Sequence, residues 1–464
     1  MKQRAFALDA LRGYAILTMV LSATIAGGIL PAWMYHAQTP PPTHVFNPDI
    51  PGLTWVDLVF PFFLFSMGAA FPFSIGKRLE AGESRLRLTY DALKRGLQLT
   101  FFAIFIQHFY PYVLSNPQDL RSWLLAICCF IVLFPMFMRI PLNMPSWGHQ
   151  TIKWGSYAIA TAMLLTVDYA DGQAFSLYHS NIIILLLANM AFWGTLVYVF
   201  TMNNRWLRVG ILALLAGIIC SSKVGGWQRS LFDFTPLPWM YKFDYLKYLF
   251  IVLPGSIAGE YLLQWMKTRN VNAPEERPVK AIGMLLVSVG IIICNLVGLY
   301  NRWLTLNLLL VAVLLSIGFL LLRKARESSL LWRNLFALGG FLLLLGLCFE
   351  SFEGGIKKDH ATFSYFFVTS GLACMGLIAL HILCDYFHCL KSTRFLVMSG
   401  QNPMIAYVAG DLLIMPVMGI LGVTPLLSYF HTNVWLGFLQ GIILTSLSLL
   451  VTMFFTRIKW FWRT

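Results

Sequence analysis

Long apolar runs, each closed by a short polar interruption, recur from one end of the chain to the other. A run of about 20 residues can cross the hydrocarbon core of a bilayer as a helix. Runs of that order fall near 9–30, 54–75, 97–113, 122–138, 153–169, 180–201, 206–222, 246–266, 280–299, 303–322, 331–349, 364–385, 397–420 and 434–456. The pattern predicts an all-α polytopic bundle of about 11–14 transmembrane helices, because the shorter runs can also be re-entrant. One transmembrane domain over 1–464 is expected, with no soluble domain and no repeat of 20–50 residues. Pro61, Pro254 beside Gly255, Pro403 and Pro416 lie inside runs and predict kinked or broken helices.

Composition agrees with the pattern. The chain is 58% hydrophobic and 12% charged, against about 25% charged in soluble domains. Its net charge of +14 sits in short clusters between runs, which is the positive-inside signature and excludes a nucleic-acid partner. Lys2, Arg4 and Arg12, the connector from Lys77 to Arg95, Arg205 and Arg208, the 267–280 turn, Arg323 to Arg326, and Arg457 to Arg463 share one side if all the runs cross. The loops 31–53, 170–179 and 420–433 contain no Lys or Arg. Both termini are therefore expected in the cytoplasm. The exception is the loop 223–247, with Lys223, Arg229, Lys242 and Lys247. Cysteines lie mostly inside apolar runs, without metal-ligand spacing, so no metal site is expected. The first run carries Asp9 and Arg12 and does not read as a cleaved signal.

Chemistry is expected where polar groups enter apolar runs. Asp57 opens the second run, and a carboxylate inside a span costs roughly 2.5–3.5 kcal/mol on insertion scales. His44 precedes it in a loop stiffened by Pro40, Pro41, Pro42, Pro48 and Pro51. A carboxylate that orients an imidazole leaves one ring nitrogen as a base; His44 and Asp57 are the expected pair, with His36 in the same loop as the substitute. Arg12, three residues past Asp9, either pairs with it on one helix face or holds an anionic ligand. Lys94 and Arg95 close a basic connector that either faces anionic lipid or cradles phosphates. Asn402 before Pro403 suggests a break whose amide binds a ligand. Tyr407 and Asp411 follow on the same run as candidate substrate contacts. Glu260 and His108 read as buried, paired polar groups, and Thr362 as a helix cap.

At these residues the chain resembles the transmembrane acyltransferase family that includes heparan-alpha-glucosaminide N-acetyltransferase. The resemblance runs through LDALRGYAILTMV at 8–20, GLTWVDLVFPFFLFSMG at 52–68, TFSYFFVTSGLA at 362–373, GQNPMIAYV at 400–408 and RIKWFWR at 457–463. YLFIVLPGSIAGEYL at 248–262 is a weaker match. Carried over by position, the family's histidine falls on His44, its carboxylate on Asp57, its first-helix arginine on Arg12 and its late asparagine on Asn402. An asparagine the family carries near the outer end of helix one is Ala23 here, between Ser22 and Thr24.

The resemblance implies a bacterial inner-membrane N-acetyltransferase. Acetyl would pass from cytosolic acetyl-CoA to the amino or hydroxyl group of a periplasmic or exported sugar such as a terminal glucosamine. In this reading His44 and Asp57 are catalytic; Arg12, Lys94, Arg95 and Asn402 hold acetyl-CoA; Asp411 and Tyr407 contact the acceptor. The lipid bilayer is the expected partner, and a homodimer is open to it. The alternative is an amino-sugar or oligosaccharide transporter coupled through Asp411 and Glu260. A non-catalytic scaffold is a third reading, which the many polar residues at run ends disfavour.

Overall fold

The computed structural model describes residues 5–138, 141, 145–269 and 275–463. Lys2 and Arg4, and 270–274 of the 267–280 turn, lie outside them. The described residues form helices and turns without a strand, and eleven helices are long and apolar enough to cross a membrane. The protein is a polytopic helical membrane protein.

The long helices are α1 (Phe6–Thr24), α2 (Trp55–Phe71), α3 (Arg85–His108), α4 (Leu120–Phe137), α5 (Ser146–Thr166), α6 (Ile182–Thr201) and α7 (Arg205–Ser221). Then come α8 (Leu249–Thr268), α9 (Pro278–Tyr300), α10 (Leu304–Leu322), α11 (Leu330–Phe352) and α12 (Phe363–His381). The series closes with α13 (Leu390–Gln401), α14 (Pro403–Ala409), which continues through a π turn to Ile420, and α15 (Val434–Arg457). The expected runs at 97–113, 153–169 and 206–222 fall in α3, α5 and α7, which are outside the eleven. Charge explains α3, which opens on Arg85 and Arg87 with Lys94 and Arg95 beyond, and length explains α7, which has 17 residues.

Helix starts follow local chemistry. Ser84, Asn181, Asn204, Thr362 and Asn433 each accept a backbone N–H of the helix they open, so the cap expected at Thr362 is present. Asp119 and Ser122 close a reciprocal capping box on α4. Pro61 lies inside α2 and Pro254 inside α8, and neither ends its helix. The break at Pro403 is real, for Asn402 leaves helical geometry there.

Glycine sets the closest approaches. A Cβ on Gly13 would lie 1.8 Å from the Leu396 carbonyl oxygen, and one on Gly400 1.9 Å from that of Asp9, so α1 and α13 touch backbone to backbone. Gly255 and Gly259, four apart on α8, lie the same way against Phe65 and Ala69 of α2. Such small-residue spacing lets membrane helices approach closely. Around these contacts one apolar core runs from Ala7 to Trp462.

Apart from α13, which lies against the first turns of α1, the long helices run between two faces. On one, the 31–53 and 353–362 segments clasp each other: Gly52 N–H donates to Ile356 O (2.8 Å), and Asp359 N–H to Gln38 Oε1 (2.9 Å). We term this the loop face. On the other, the basic face, Ala7 N–H donates to Asp385 (3.2 Å) and Arg463 N–H to Phe137 O (2.8 Å). Both described chain ends lie there. The charges of the exceptional 223–247 loop are partly neutralised locally, Arg229 by Asp233 and Lys247 by Asp244.

Candidate active site

The capping box at the start of α2 is also the floor of the site. Asp57 is 2% exposed, and its Oδ2 accepts from Thr54 N–H (3.0 Å), Thr54 Oγ1 (3.0 Å) and Ala37 N–H (3.3 Å). Its other oxygen, Oδ1, lies 2.7 Å from His36 Nδ1. An ionised carboxylate only accepts, so Nδ1 carries the proton and Nε2 keeps its lone pair. Tyr365 Oη, from α12, donates to the Asp57 carbonyl oxygen (2.9 Å) and pins the turn from behind.

His36 faces a cavity of about 240 Å³. The end of α1 supplies Ser22, Ala23 and Thr24 to its wall, α2 supplies Val56, Val59 and Phe60, and α14 with its π turn supplies Tyr407 and Asp411. Tyr407 Oη donates to Asn181 Oδ1 (3.0 Å), which fixes the phenol on that wall. Lys358 enters from the 353–362 segment, with Nζ 3.1 Å from His36 Nδ1 and 3.3 Å from Nε2. With the Nδ1 proton directed at Asp57, an ammonium there donates to the Nε2 lone pair. Burial pushes the Lys358 amine below the usual lysine range, against the opposing pull of Asp57 and Asp359. The site thus holds a carboxylate-oriented imidazole, a desolvated amine, a phenol and a second carboxylate around one small volume.

The structure corrects the expected pairing of His44 with Asp57. His44 Nε2 accepts Gly28 N–H (2.8 Å), and its Nδ1 lies 3.1 Å from Thr39 O, to which it donates. Its ring stands edge-on to Tyr35, with centroids 4.5 Å apart. Both nitrogens are engaged by backbone, so His44 closes its own loop, while His36 takes the carboxylate. Of the other expected site residues, Asp57 joins the cavity through His36, and Tyr407 and Asp411 line it directly.

The expected cofactor set lies elsewhere. Arg12 reaches Ser66 O (3.4 Å) and Gly400 O (3.5 Å) at the α1–α2–α13 junction, within electrostatic reach of Arg95. Lys94 is exposed on α3, within reach of Lys153 on α5. The Asn402 amide, expected to bind a ligand, is taken up by the chain itself: Nδ2 donates to Trp460 O (2.8 Å) and Oδ1 accepts Trp462 N–H (3.2 Å). Glu260 is paired, by Arg205 at 2.6 Å and Arg208 at 2.8 Å. His108 is buried, with Nδ1 2.8 Å from Ile104 O.

Sequence reasoning missed Lys358 and ranked His36 second. A signal for Lys358 existed: Lys357 and Lys358 break the rule that keeps lysine off this face. For His36 there was none, since its distance from Asp57 along the chain is no guide to which ring the loop turns inward.

A family model described as a domain of unknown function (DUF5009) matches residues 4–262, more than half of the chain's 464 residues. The match holds His36 and Asp57 and ends before Lys358, Tyr407 and Asp411. No curated protein matches the chain.

Proposed function

The chain belongs to that family, and we propose that it is a membrane-bound acyltransferase that moves an acetyl group from acetyl-CoA to the amine or hydroxyl of a sugar. The observation that carries the reading is the His36–Asp57 couple, buried on one side and open to a cavity on the other. In the proposed reaction His36 Nε2 accepts a proton from the acceptor N–H or O–H as its lone pair attacks the thioester carbon. The C–S bond then breaks, the new C–N or C–O bond remains, and the imidazolium returns its proton to the departing thiolate. Asp57 keeps the Nδ1 proton in place throughout. Lys358, as an ammonium beside the reacting carbon, offsets the negative charge on the carbonyl oxygen. It must swing off Nε2 when the acceptor enters.

Arg12 and Ala23 lie on one helix, about 16 Å apart along its axis at 1.5 Å per residue. That suits an extended donor with its phosphates toward the basic face and its thioester at the cavity. The basic face would be cytoplasmic by the positive-inside rule, in a bacterial inner membrane. At about 240 Å³ the cavity is smaller than a typical ligand pocket of roughly 300–1,000 Å³. It suits the reacting end of a glycan, with Asp411 and Tyr407 as its polar contacts. A coupled transporter is less well supported, because Glu260, one of its two coupling carboxylates, is held by two guanidinium groups.

The test is purified protein with labelled acetyl-CoA and a panel of hexosamines. Transfer to a sugar supports the proposal. Absence of both acetyl-CoA binding and transfer, with sugar uptake into proteoliposomes, contradicts it.

A further inference from the structure

Residues 460–463 are woven into the basic face. Asn402 grips Trp460 and Trp462 by their backbone, and Arg463 N–H donates to Phe137 O at the end of α4. Trp462, 3% exposed, packs among the rings of Phe102, Phe130, Phe134 and Phe137. With 462 held inward, Lys459, Phe461 and Arg463 line a separate cavity of about 570 Å³. Its far wall is the start of α5, which contributes His149 and Lys153.

The electrostatics of this cavity are one-sided. Lysine, arginine and histidine line it, and no carboxylate does among its described lining residues. Arg463 lies over the Phe461 ring, 5.3 Å from the centroid, which holds its guanidinium beside the cavity. Lys94 adds to the field through Lys153. The first turn of α5 also brings Ser146 to the cavity wall. Cations that line one cavity favour an anion between them. A single carboxylate would leave most of that charge unmatched. A phosphate carries more charge and accepts guanidinium bonds in pairs.

We propose that this cavity is a phosphate-binding site, for a phosphate borne by a lipid headgroup or by a soluble compound. The proposal does not rest on acyl transfer. Its test compares wild-type protein with the double variant Lys459→Gln/Arg463→Gln and with a charge-matched control, Arg323→Gln/Lys324→Gln, at exposed positions on the same face. The tail is held through Asn402 and backbone groups, so the double variant keeps its anchor; Lys153→Gln, on the opposite wall, serves as a second variant. Native mass spectrometry would measure phosphatidylglycerol binding against phosphatidylcholine, and equilibrium dialysis would measure pyrophosphate binding. We expect about tenfold weaker binding in the site variants and less than a twofold change in the control. Loss confined to phosphatidylglycerol assigns a lipid headgroup; loss that includes pyrophosphate assigns a soluble phosphate. Wild-type protein that binds neither probe, or site and control variants that weaken equally, would overturn the proposal.

Discussion

The 31–53 loop carries two histidines with opposite surroundings. Around His44 both ring nitrogens meet backbone within the loop's own neighbourhood, at Gly28 and Thr39. Around His36 one nitrogen meets a buried carboxylate, and the ring also meets a lysine 322 positions away in sequence. Chemistry needs a ring that is oriented and can be freed: His44 is held by backbone alone, whereas His36 is oriented by a carboxylate and its other partner is a side chain that can move away. Closeness to a carboxylate in sequence is therefore a poor guide, and the kind of group each ring nitrogen meets is a better one.

Substituting the carboxylate should affect the His36 region most. In Asp57→Asn the acceptor of the Nδ1 proton becomes an amide, the wrong tautomer is favoured, and turnover should fall by about 10²–10⁴-fold. The His44 environment should be untouched, so retained turnover would remove the distinction between the two rings. Lys358→Met should lower turnover by roughly a hundredfold to a thousandfold, as loss of one charge-stabilising donor does. Lys358→Arg should recover part of it, measured as kcat at saturating donor. On the other side of the comparison, His44→Ala removes two hydrogen bonds and should cost about 1–2 kcal/mol of stability, read as a lower thermal midpoint with turnover kept within a few-fold. A drop in turnover as large as that of Asp57→Asn would return His44 to the site.

The smallest effect lies on the basic face and serves as a control for acid sensitivity. Burial pushes the Glu276 carboxyl up, but hydrogen bonds from Ser329, Lys280 and the Arg326 and Arg277 N–H groups outweigh it and bring it down to about 2 from 4.5. A depressed carboxyl contributes stability above its unfolded value and loses it as the pH falls through the folded one. Thermal midpoints should therefore decline between pH 4.5 and about 2, and less steeply in Glu276→Gln. An identical decline in that variant would rule Glu276 out as a source.

How much was legible follows from the range of each interaction. Apolar runs are local, so nearly every long helix could be located, and the cap at Thr362 likewise. Asp57 stood out because a carboxylate entering an apolar run needs a partner. The choice between His36 and His44 was not legible, because a loop clasp closing through Gln38 and Asp359 decides which ring turns inward. Asn402 was read as a ligand amide because its true partners, Trp460 and Trp462, lie 58 and 60 positions away. Pro61 and Pro254 do not end their helices. Their helices run on, with Gly68, Gly255 and Gly259 bringing the two backbones into contact.

The most direct measurement is acetyl transfer by His36→Ala and His44→Ala, side by side with wild type, at matched folding judged by thermal midpoint and acetyl-CoA binding. Our account predicts transfer reduced by at least about a hundredfold in His36→Ala and within a few-fold of wild type in His44→Ala. Transfer that survives in His36→Ala and disappears in a folded His44→Ala would contradict it.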